Sequence, residues 1–262
     1  MRFILISVLF VIPFCKIFAK NSGLAKRDSL VSTIFEVAPE SPEGGPTCLI
    51  ELLNLYTKEM KGINDQVTDV LNNSSQKIDQ TKLDVENYLN SSKENVDQEI
   101  QKLGDLEAEA YGQAVAKQKS IADCLYDVRI NMALINATEL TAYRACSPDI
   151  FIFFVNESTK SIHNYPDKLA KNIETCLEVN ISICDTQKKC ITNESDKMTK
   201  KLSSKEDHIL SRLTRIENNS KKCIDHKTDE IITMITKLEQ NFDTCVSKIL
   251  GNSWKHKSQV SI

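Results

Sequence analysis

The chain has 262 residues, of which 7 are glycine and 6 proline, with 33 Lys and Arg against 36 Asp and Glu. An average chain of this length has roughly 18 glycines, and β-turns and phosphate-binding loops depend on them. The composition therefore argues against an all-β sandwich, a Rossmann domain and a P-loop enzyme, and the balanced charge argues against a nucleic-acid-binding protein.

Residues 1–19 have the pattern of a secretory signal peptide. Arg2 precedes an apolar run from Ile4 to Phe14, and Phe18-Ala19 gives a small-residue cleavage point. This run is shorter than the roughly 20 residues that span a bilayer, so cleavage is favoured over a membrane anchor. The final residues carry no retention or lipid-anchor signal. We therefore expect a secreted, extracellular protein whose mature chain has no membrane span.

Residues 20–47 are predicted to form a flexible leader. They contain three of the six prolines and no sustained apolar period. The pair Lys26-Arg27 is a candidate processing site, and two solvated charges are the favoured interpretation.

A long amphipathic helical region is predicted from Cys48 to Cys146, because it lacks proline and its apolar residues recur at helical spacing. A heptad seam runs from Val85 to Leu103, with Ser92 at a core position. Such a seam can join two helices of one chain or two copies in a homo-oligomer. Residues 72–75, Asn-Asn-Ser-Ser, predict a break in the helix. Ser147-Pro148 predicts its end. The apolar positions are Ile63, Val67, Val70, Val85, Leu89, Val96, Ile100, Leu103, Ile121, Leu125, Val128, Met132 and Ile135.

The segment 150–155, Ile-Phe-Ile-Phe-Phe-Val, is the densest apolar and aromatic patch after the signal peptide. It fits a buried strand or a buried helical turn equally well. We interpret Phe151, Phe153 and Phe154 as core, and the alternative is the lining of a pocket for a small apolar ligand.

Two further helices complete the predicted fold. One begins at Pro166 and runs to about Cys184. The other runs from about Ser195 to Leu250, ends at Gly251 and is followed by a polar tail, 251–262. The apolar stripe of the last helix is Met198, Leu202, Ile209, Leu213, Ile216, Cys223, Ile231, Met234, Leu238, Cys245 and Ile249.

Eight cysteines follow the signal peptide, which predicts four disulfides formed in an oxidising compartment. They are Cys48, Cys124, Cys146, Cys176, Cys184, Cys190, Cys223 and Cys245.

Two pairs of these cysteines have the same spacing, since Cys124 and Cys146 are 22 residues apart and Cys223 and Cys245 are also 22 apart. Twenty-two residues is close to six helical turns, or roughly 33 Å, so each pair shares a helix face but cannot bond internally. An antiparallel pair of helices gives Cys124–Cys245 and Cys146–Cys223, and a parallel pair gives Cys124–Cys223 and Cys146–Cys245. The antiparallel arrangement is favoured as the commoner one in bundles. Elimination then predicts Cys184–Cys190 and Cys48–Cys176.

Eight Asn-X-Ser/Thr sequons predict a glycoprotein with much exposed surface. Their acceptors are Asn72, Asn73, Asn90, Asn136, Asn156, Asn180, Asn193 and Asn218.

Catalytic and metal-binding signatures are missing from the sequence. None of the four histidines belongs to a protease or hydrolase motif. Cys223 and His226 have zinc-ligand spacing, but a disulfide-bonded cysteine cannot hold zinc, so we interpret His226 as a surface residue. We therefore predict no catalytic residue, no metal site, no cofactor and no enzyme activity.

The spacings Cys184-x5-Cys190 and Cys223-x21-Cys245, in a secreted helical chain, resemble those of the tsetse-EP-type domain of insect secreted proteins. The similar region runs from Cys48 to Cys245. The resemblance implies a secreted or gut-lumen insect protein with no established enzymatic activity, and it transfers no functional residues.

The predicted fold is an all-α, elongated, disulfide-stapled bundle of long amphipathic helices with coiled-coil-like seams, over residues 48–250. We expect a secreted, non-enzymatic glycoprotein that acts by binding a protein, a glycan or a cell surface, and not nucleic acid. The alternative function is a carrier of a small apolar ligand with Phe151–Phe154 in its pocket.

Overall fold

The structure is a computed structural model, and it describes residues 46–179, 184–251 and 254. The predicted signal peptide, residues 20–45 of the predicted leader and most of the predicted tail lie outside the described residues.

The described chain is helical and contains no strand, which confirms an all-α fold of long amphipathic helices. Its helices are α1 (Pro46–Ala116), α2 (Ala122–Ala142), α3 (Asp149–Lys160), α4 (Tyr165–Val179) and α5 (Cys184–Leu250). Two 3-10 turns, Tyr143–Cys146 and Ser161–Asn164, flank α3.

The predicted helix ends at proline and glycine are confirmed. The 3-10 turn after α2 ends at Cys146, directly before Ser147-Pro148. Pro166 lies in the first turn of α4. Gly251 follows α5 with a φ of +75°, a backbone conformation that glycine adopts without steric cost.

The predicted break at residues 72–75 is wrong, because α1 continues through them. Ser74 is only 1% exposed and lies on the packed face of the helix. Tertiary packing on this face offsets the low helix propensity of Asn and Ser.

Two boundaries near Cys184 also differ from the prediction. The helix that contains Pro166 ends at Val179, and Cys184 is the first residue of the next helix. This last helix therefore begins eleven residues before Ser195. Gln187 and Ile191 are buried on the same face as Ser195, and this packing extends the helix toward its N-terminus.

The contacts divide the chain into two units, and α1 and α5 contribute residues to both. The described part of unit 1 comprises residues 46–66 and 164–201, except 180–183. Its core is built from α1, α4 and α5. The large buried apolar side chains are Leu52, Ile63, Leu169, Ile173, Ile191 and Met198.

Unit 2 comprises residues 67–163 and the described residues from 202 onward. Its core packs α1, α2 and α5 together, with Val96 and Leu103 of α1, Val128 of α2, and Ile231 and Phe242 of α5 all buried. Ser92 is 7% exposed within the seam, as its heptad position predicts.

The buried stripe of α5 differs from the predicted one toward the C-terminus. Met234 is exposed and Ile249 is half-buried, whereas the neighbouring Ile235 and Leu250 are buried. The last buried residues of α5 are spaced four apart, at Phe242, Val246 and Leu250. The packed face therefore lies one residue later in the chain than the predicted positions Cys245 and Ile249.

Trp254 packs against this end of unit 2, although it belongs to the predicted polar tail. It is 7% exposed, and its Nε1 donates a hydrogen bond of 2.6 Å to Asp243 Oδ1.

Disulfides join the helices within each unit. In unit 2, Cys124–Cys245 and Cys146–Cys223 have Cα–Cα distances of 5.9 and 5.4 Å, which confirms the antiparallel alternative. The pairing predicted by elimination is wrong.

In unit 1 the bonds are Cys48–Cys184 and Cys176–Cys190. Cys184 and Cys190 lie in one continuous helix, about 9 Å apart along its axis, which is too far for a disulfide. Each therefore bonds to a neighbouring helix. Four disulfides fit an oxidising, extracellular environment.

Candidate functional site

Two cavities in unit 2 lie beside the turn between α2 and α3. The Cys146–Cys223 disulfide fastens this turn to α5. Cys146 and Ser147 line both cavities, whose volumes are about 670 and 290 Å³. The disulfide therefore fixes a wall that the two cavities share.

The larger cavity has an apolar floor and a charged rim. The floor includes Val85 and Leu89 from α1, Tyr143 from the 3-10 turn, and Ile224 from α5. Its volume is within the range of roughly 300–1,000 Å³ typical of small-molecule sites. Three basic and three acidic side chains line it: Lys82, Lys93, Arg144, Glu86, Glu139 and Asp149.

Tyr143 is the polar anchor of this floor. Its hydroxyl and that of Thr228 lie 2.9 Å apart in a buried hydrogen bond, and Lys93 Nζ lies 6.0 Å from its ring centroid. Burial raises the pKa of Tyr143, while the hydrogen bond to Thr228 opposes this shift. The phenol therefore stays protonated at neutral pH.

Glu139 is the rim carboxylate with an altered environment. Burial is the main cause that raises its pKa, the charge of Asp97 raises it further, and Lys93 lowers it. A raised pKa occurs in structural as well as catalytic carboxylates.

The three phenylalanines of α3 are exposed, so their interpretation as core is wrong. Phe151, Phe153 and Phe154 are 57%, 59% and 53% exposed, while Ile152 and Val155 of the same helix are buried. Residues three apart share a helix face, so α3 turns Ile152 and Val155 inward and the phenylalanines away. Phe151 lines the smaller cavity, whereas Phe153 and Phe154 line neither of the two cavities.

An outward apolar face on α2 was missed by the sequence analysis. Tyr126, Ile130 and Leu134 are 65%, 45% and 60% exposed, and their four-residue spacing places them on one side of the helix. The signal was present, because α2 carries apolar residues on more than one side.

The sequon asparagines are exposed wherever the structure describes them, and Asn180 lies outside the described residues. The exposed ones are Asn72, Asn73, Asn90, Asn136, Asn156, Asn193 and Asn218. Asn136 also lines the larger cavity. In four sequons the serine is buried on a packed helix face: Ser74, Ser92, Ser195 and Ser220.

His226 lies beside Glu230, with Nε2 to Oε1 at 3.2 Å, and its neighbour Cys223 is in a disulfide. Within the described ranges, no group of three or more His, Cys, Asp or Glu side chains is placed to hold a metal ion. No helix in the described part of the chain is long and apolar enough to span a membrane.

No family model matches the sequence, and no curated protein or solved structure is significantly similar to it. The resemblance to the tsetse-EP-type domain therefore stays a prediction based on cysteine spacing.

Proposed function

We propose that this chain is a secreted, non-enzymatic glycoprotein that binds a partner protein through the exposed side chains of α3. The observation that carries the proposal is the exposure of Ile150, Phe151, Phe153 and Phe154, between 53% and 71%. We call these four residues the α3 patch. Large exposed apolar patches on soluble proteins commonly mark interaction sites, and aromatic side chains contribute strongly to binding energy.

The chemistry of the α3 patch favours a protein over a glycan. Phenylalanine and isoleucine side chains have no hydrogen-bonding group, while recognition of a sugar depends on donors and acceptors. The rings of Phe153 and Phe154 lie 5.8 Å apart at an interplanar angle of 73°, so they present a ring face and a ring edge together. Such a pair fits an apolar pocket on another protein.

Charge disfavours an anionic membrane surface as the partner. Without residues 1–19, which hold Arg2 and Lys16, the chain has 31 Lys and Arg against 36 Asp and Glu, a net charge of −5. On α3 itself Lys160 is paired with Glu157 at 2.5 Å, which leaves Asp149 as an added negative charge. Anionic lipids attract basic segments instead.

The experiment is photo-crosslinking from position 153 in the extracellular fluid of the source organism. A benzophenone side chain replaces Phe153 in the full secreted protein, and mass spectrometry identifies the crosslinked chain. The partner is then purified, and its affinity is measured for the wild type and for Phe153→Ser/Phe154→Ser. We expect at least a tenfold loss of affinity, because truncating a central aromatic residue typically costs more than about 1 kcal/mol.

The matched control is Tyr111→Ser/Val115→Ser on α1, where both side chains are 58% exposed. It removes similar apolar groups from another surface and should leave the affinity within twofold. Equal losses in both double variants, or none in either, would contradict the proposal. A crosslink to a second copy of the chain would instead identify a homo-oligomer.

A second function, a carrier of a small apolar ligand, is favoured by the larger cavity. Its volume of about 670 Å³ and its apolar floor of Val85, Leu89, Tyr143 and Ile224 fit such a ligand. Native mass spectrometry of the secreted protein, beside its denatured mass, tests this directly. The variant Leu89→Trp places a larger side chain in the cavity. A ligand mass that is bound non-covalently to the wild type and absent from this variant would support the carrier function.

A further inference from the structure

The smaller cavity of unit 2, of about 290 Å³, has two arginines on one wall. Arg212 and Arg215 are three positions apart on α5 and so lie side by side on the helix surface. Arg212 is half-buried and Arg215 is exposed. Within the described part of the chain, neither guanidinium forms an ion pair or a side-chain hydrogen bond. Two positive charges therefore face this space without a counter-charge.

The hydroxyl group of Ser220 adds a hydrogen-bond donor to the same cavity. Ser220 lines the cavity and is 5% exposed, yet its hydroxyl has no hydrogen-bond partner among the described residues. The side-chain amide of Asn219 lines the cavity as well. Among the described residues, the buried side-chain oxygens without a partner are those of Ser74 and Thr81, so the Ser220 oxygen is open to the cavity and can donate a hydrogen bond to a ligand there.

Part of the lining of the cavity is apolar. Phe151 of α3 and Ile216 of α5 supply this surface. No aspartate or glutamate is among the residues that line it. The larger cavity differs in this respect, since three acidic side chains reach it. Of these two cavities, the smaller therefore combines net positive charge with an aromatic surface.

We propose that the smaller cavity binds a small organic anion. The sulfonate, sulfate, phosphate or carboxylate group of this ligand lies between Arg212 and Arg215, and its apolar ring or short chain lies against Phe151. The guanidinium fork matches the oxygens of such groups, and the side chains of Asn219 and Ser220 donate to the remaining ones. A volume of about 290 Å³ limits the ligand to about three aromatic rings at most. This inference does not depend on the partner protein or on the larger cavity.

The test uses anilinonaphthalene sulfonate, which is a sulfonate on an aromatic body and fluoresces in apolar sites. It is titrated into the full secreted protein and into Arg212→Gln/Arg215→Gln. We expect saturable binding of one dye molecule and at least a tenfold loss of affinity in the variant. The matched control is Lys237→Gln/Lys248→Gln, which removes two exposed positive charges elsewhere on α5 and should change the affinity less than twofold.

A second pair of variants separates the cavity from the exposed aromatic surface. Phe151→Ala should weaken dye binding at least threefold, because Phe151 lines the cavity, while Phe153→Ala should not. Equal losses in both variants, or unchanged binding in the double-arginine variant, would overturn the proposal.

If the arginine variant does not fold, NMR of the wild type supplies the readout. Naphthalene-1-sulfonate should shift the Nε–H signals of Arg212 and Arg215. Shifts confined to other arginines would overturn the proposal.

Discussion

Unit 1 and unit 2 are built from similar helices but differ in how many large apolar side chains they expose. Among the described residues of unit 1, only Ile50 is a large hydrophobic side chain with high exposure. Unit 2 exposes the others, and eight of them lie between Tyr126 and Phe154. A helix packed only for stability turns its apolar side chains inward. The exposed apolar side chains of unit 2 are therefore concentrated on α2 and α3, where the proposed binding surface lies.

The disulfides of the two units differ in one respect, since unit 1 combines a long span, the 136 residues of Cys48–Cys184, with a short one. In unit 1, Cys176–Cys190 spans 14 residues and joins neighbouring helices α4 and α5. In unit 2, Cys124–Cys245 and Cys146–Cys223 span 121 and 77 residues. These two unit 2 bonds fasten both ends of the segment from Cys124 to Cys146, which exposes Tyr126, Ile130, Leu134 and Leu140. Two covalent bonds therefore restrain the segment that carries these outward apolar side chains.

The largest expected effect is the loss of a disulfide that closes a long loop, such as Cys124–Cys245 of unit 2. In Cys124→Ala/Cys245→Ala we expect the free energy of unfolding to fall by about 5 kcal/mol, against about 3 kcal/mol for Cys176→Ala/Cys190→Ala, because the longer loop restricts the unfolded chain more. Urea unfolding followed by circular dichroism measures both. A larger loss of stability in Cys176→Ala/Cys190→Ala than in Cys124→Ala/Cys245→Ala would contradict the loop-length argument.

A smaller loss should follow from removing one hydroxyl in unit 2. Tyr143→Phe leaves the buried Thr228 without its partner, which should cost about 1–2 kcal/mol. In unit 1, Asn172 Nδ2 donates to Glu194 Oε2 at 3.0 Å in a half-buried contact, and Asn172→Ala should cost about 0.5–1 kcal/mol. The double variant Tyr143→Phe/Thr228→Val should recover part of the loss. If the double variant is no more stable than Tyr143→Phe, the loss of stability does not come from the unpaired Thr228 hydroxyl.

Removing a buried hydroxyl should change the stability in opposite directions in the two units. Thr81 of unit 2 is fully buried, and its Oγ1 has no partner among the described residues, so Thr81→Val should raise stability by about 1 kcal/mol. Ser195 of unit 1 donates to Glu59, so Ser195→Ala should lower stability by about 1 kcal/mol. Thermal unfolding of both variants checks the signs. Destabilisation by Thr81→Val would show that this hydroxyl has a partner in solution.

The smallest expected effect concerns pH and belongs to unit 2. Burial raises the pKa of Glu139 above its ordinary value of 4.5, so the folded protein binds this proton more tightly than the unfolded chain. Its contribution to stability is therefore present at acidic pH and is lost as the pH rises through the raised pKa. The stability gained by Glu139→Gln should increase between pH 4 and pH 7. If the stability gained by Glu139→Gln decreases between pH 4 and pH 7, the pKa of Glu139 is not raised by folding.

Local sequence signals determined the helices and several of their ends. The 3.6-residue periodicity, the scarcity of proline inside the segments, and Gly251 are properties of short stretches of chain, so they can be recognised without the fold. The repeated 22-residue spacing of cysteines also restricted the unit 2 disulfides to two alternatives.

Tertiary structure decided the features that depend on neighbouring helices. The partners of Cys176 and Cys184 follow from which helix lies within bonding distance, and spacing along the chain does not contain that distance. The exposure of Phe153 and the burial of Ile152 likewise depend on which side of α3 meets the core. Both residues are apolar, so composition does not distinguish them. The cavity with Arg212 and Phe151 exists only because the fold brings α3 beside α5.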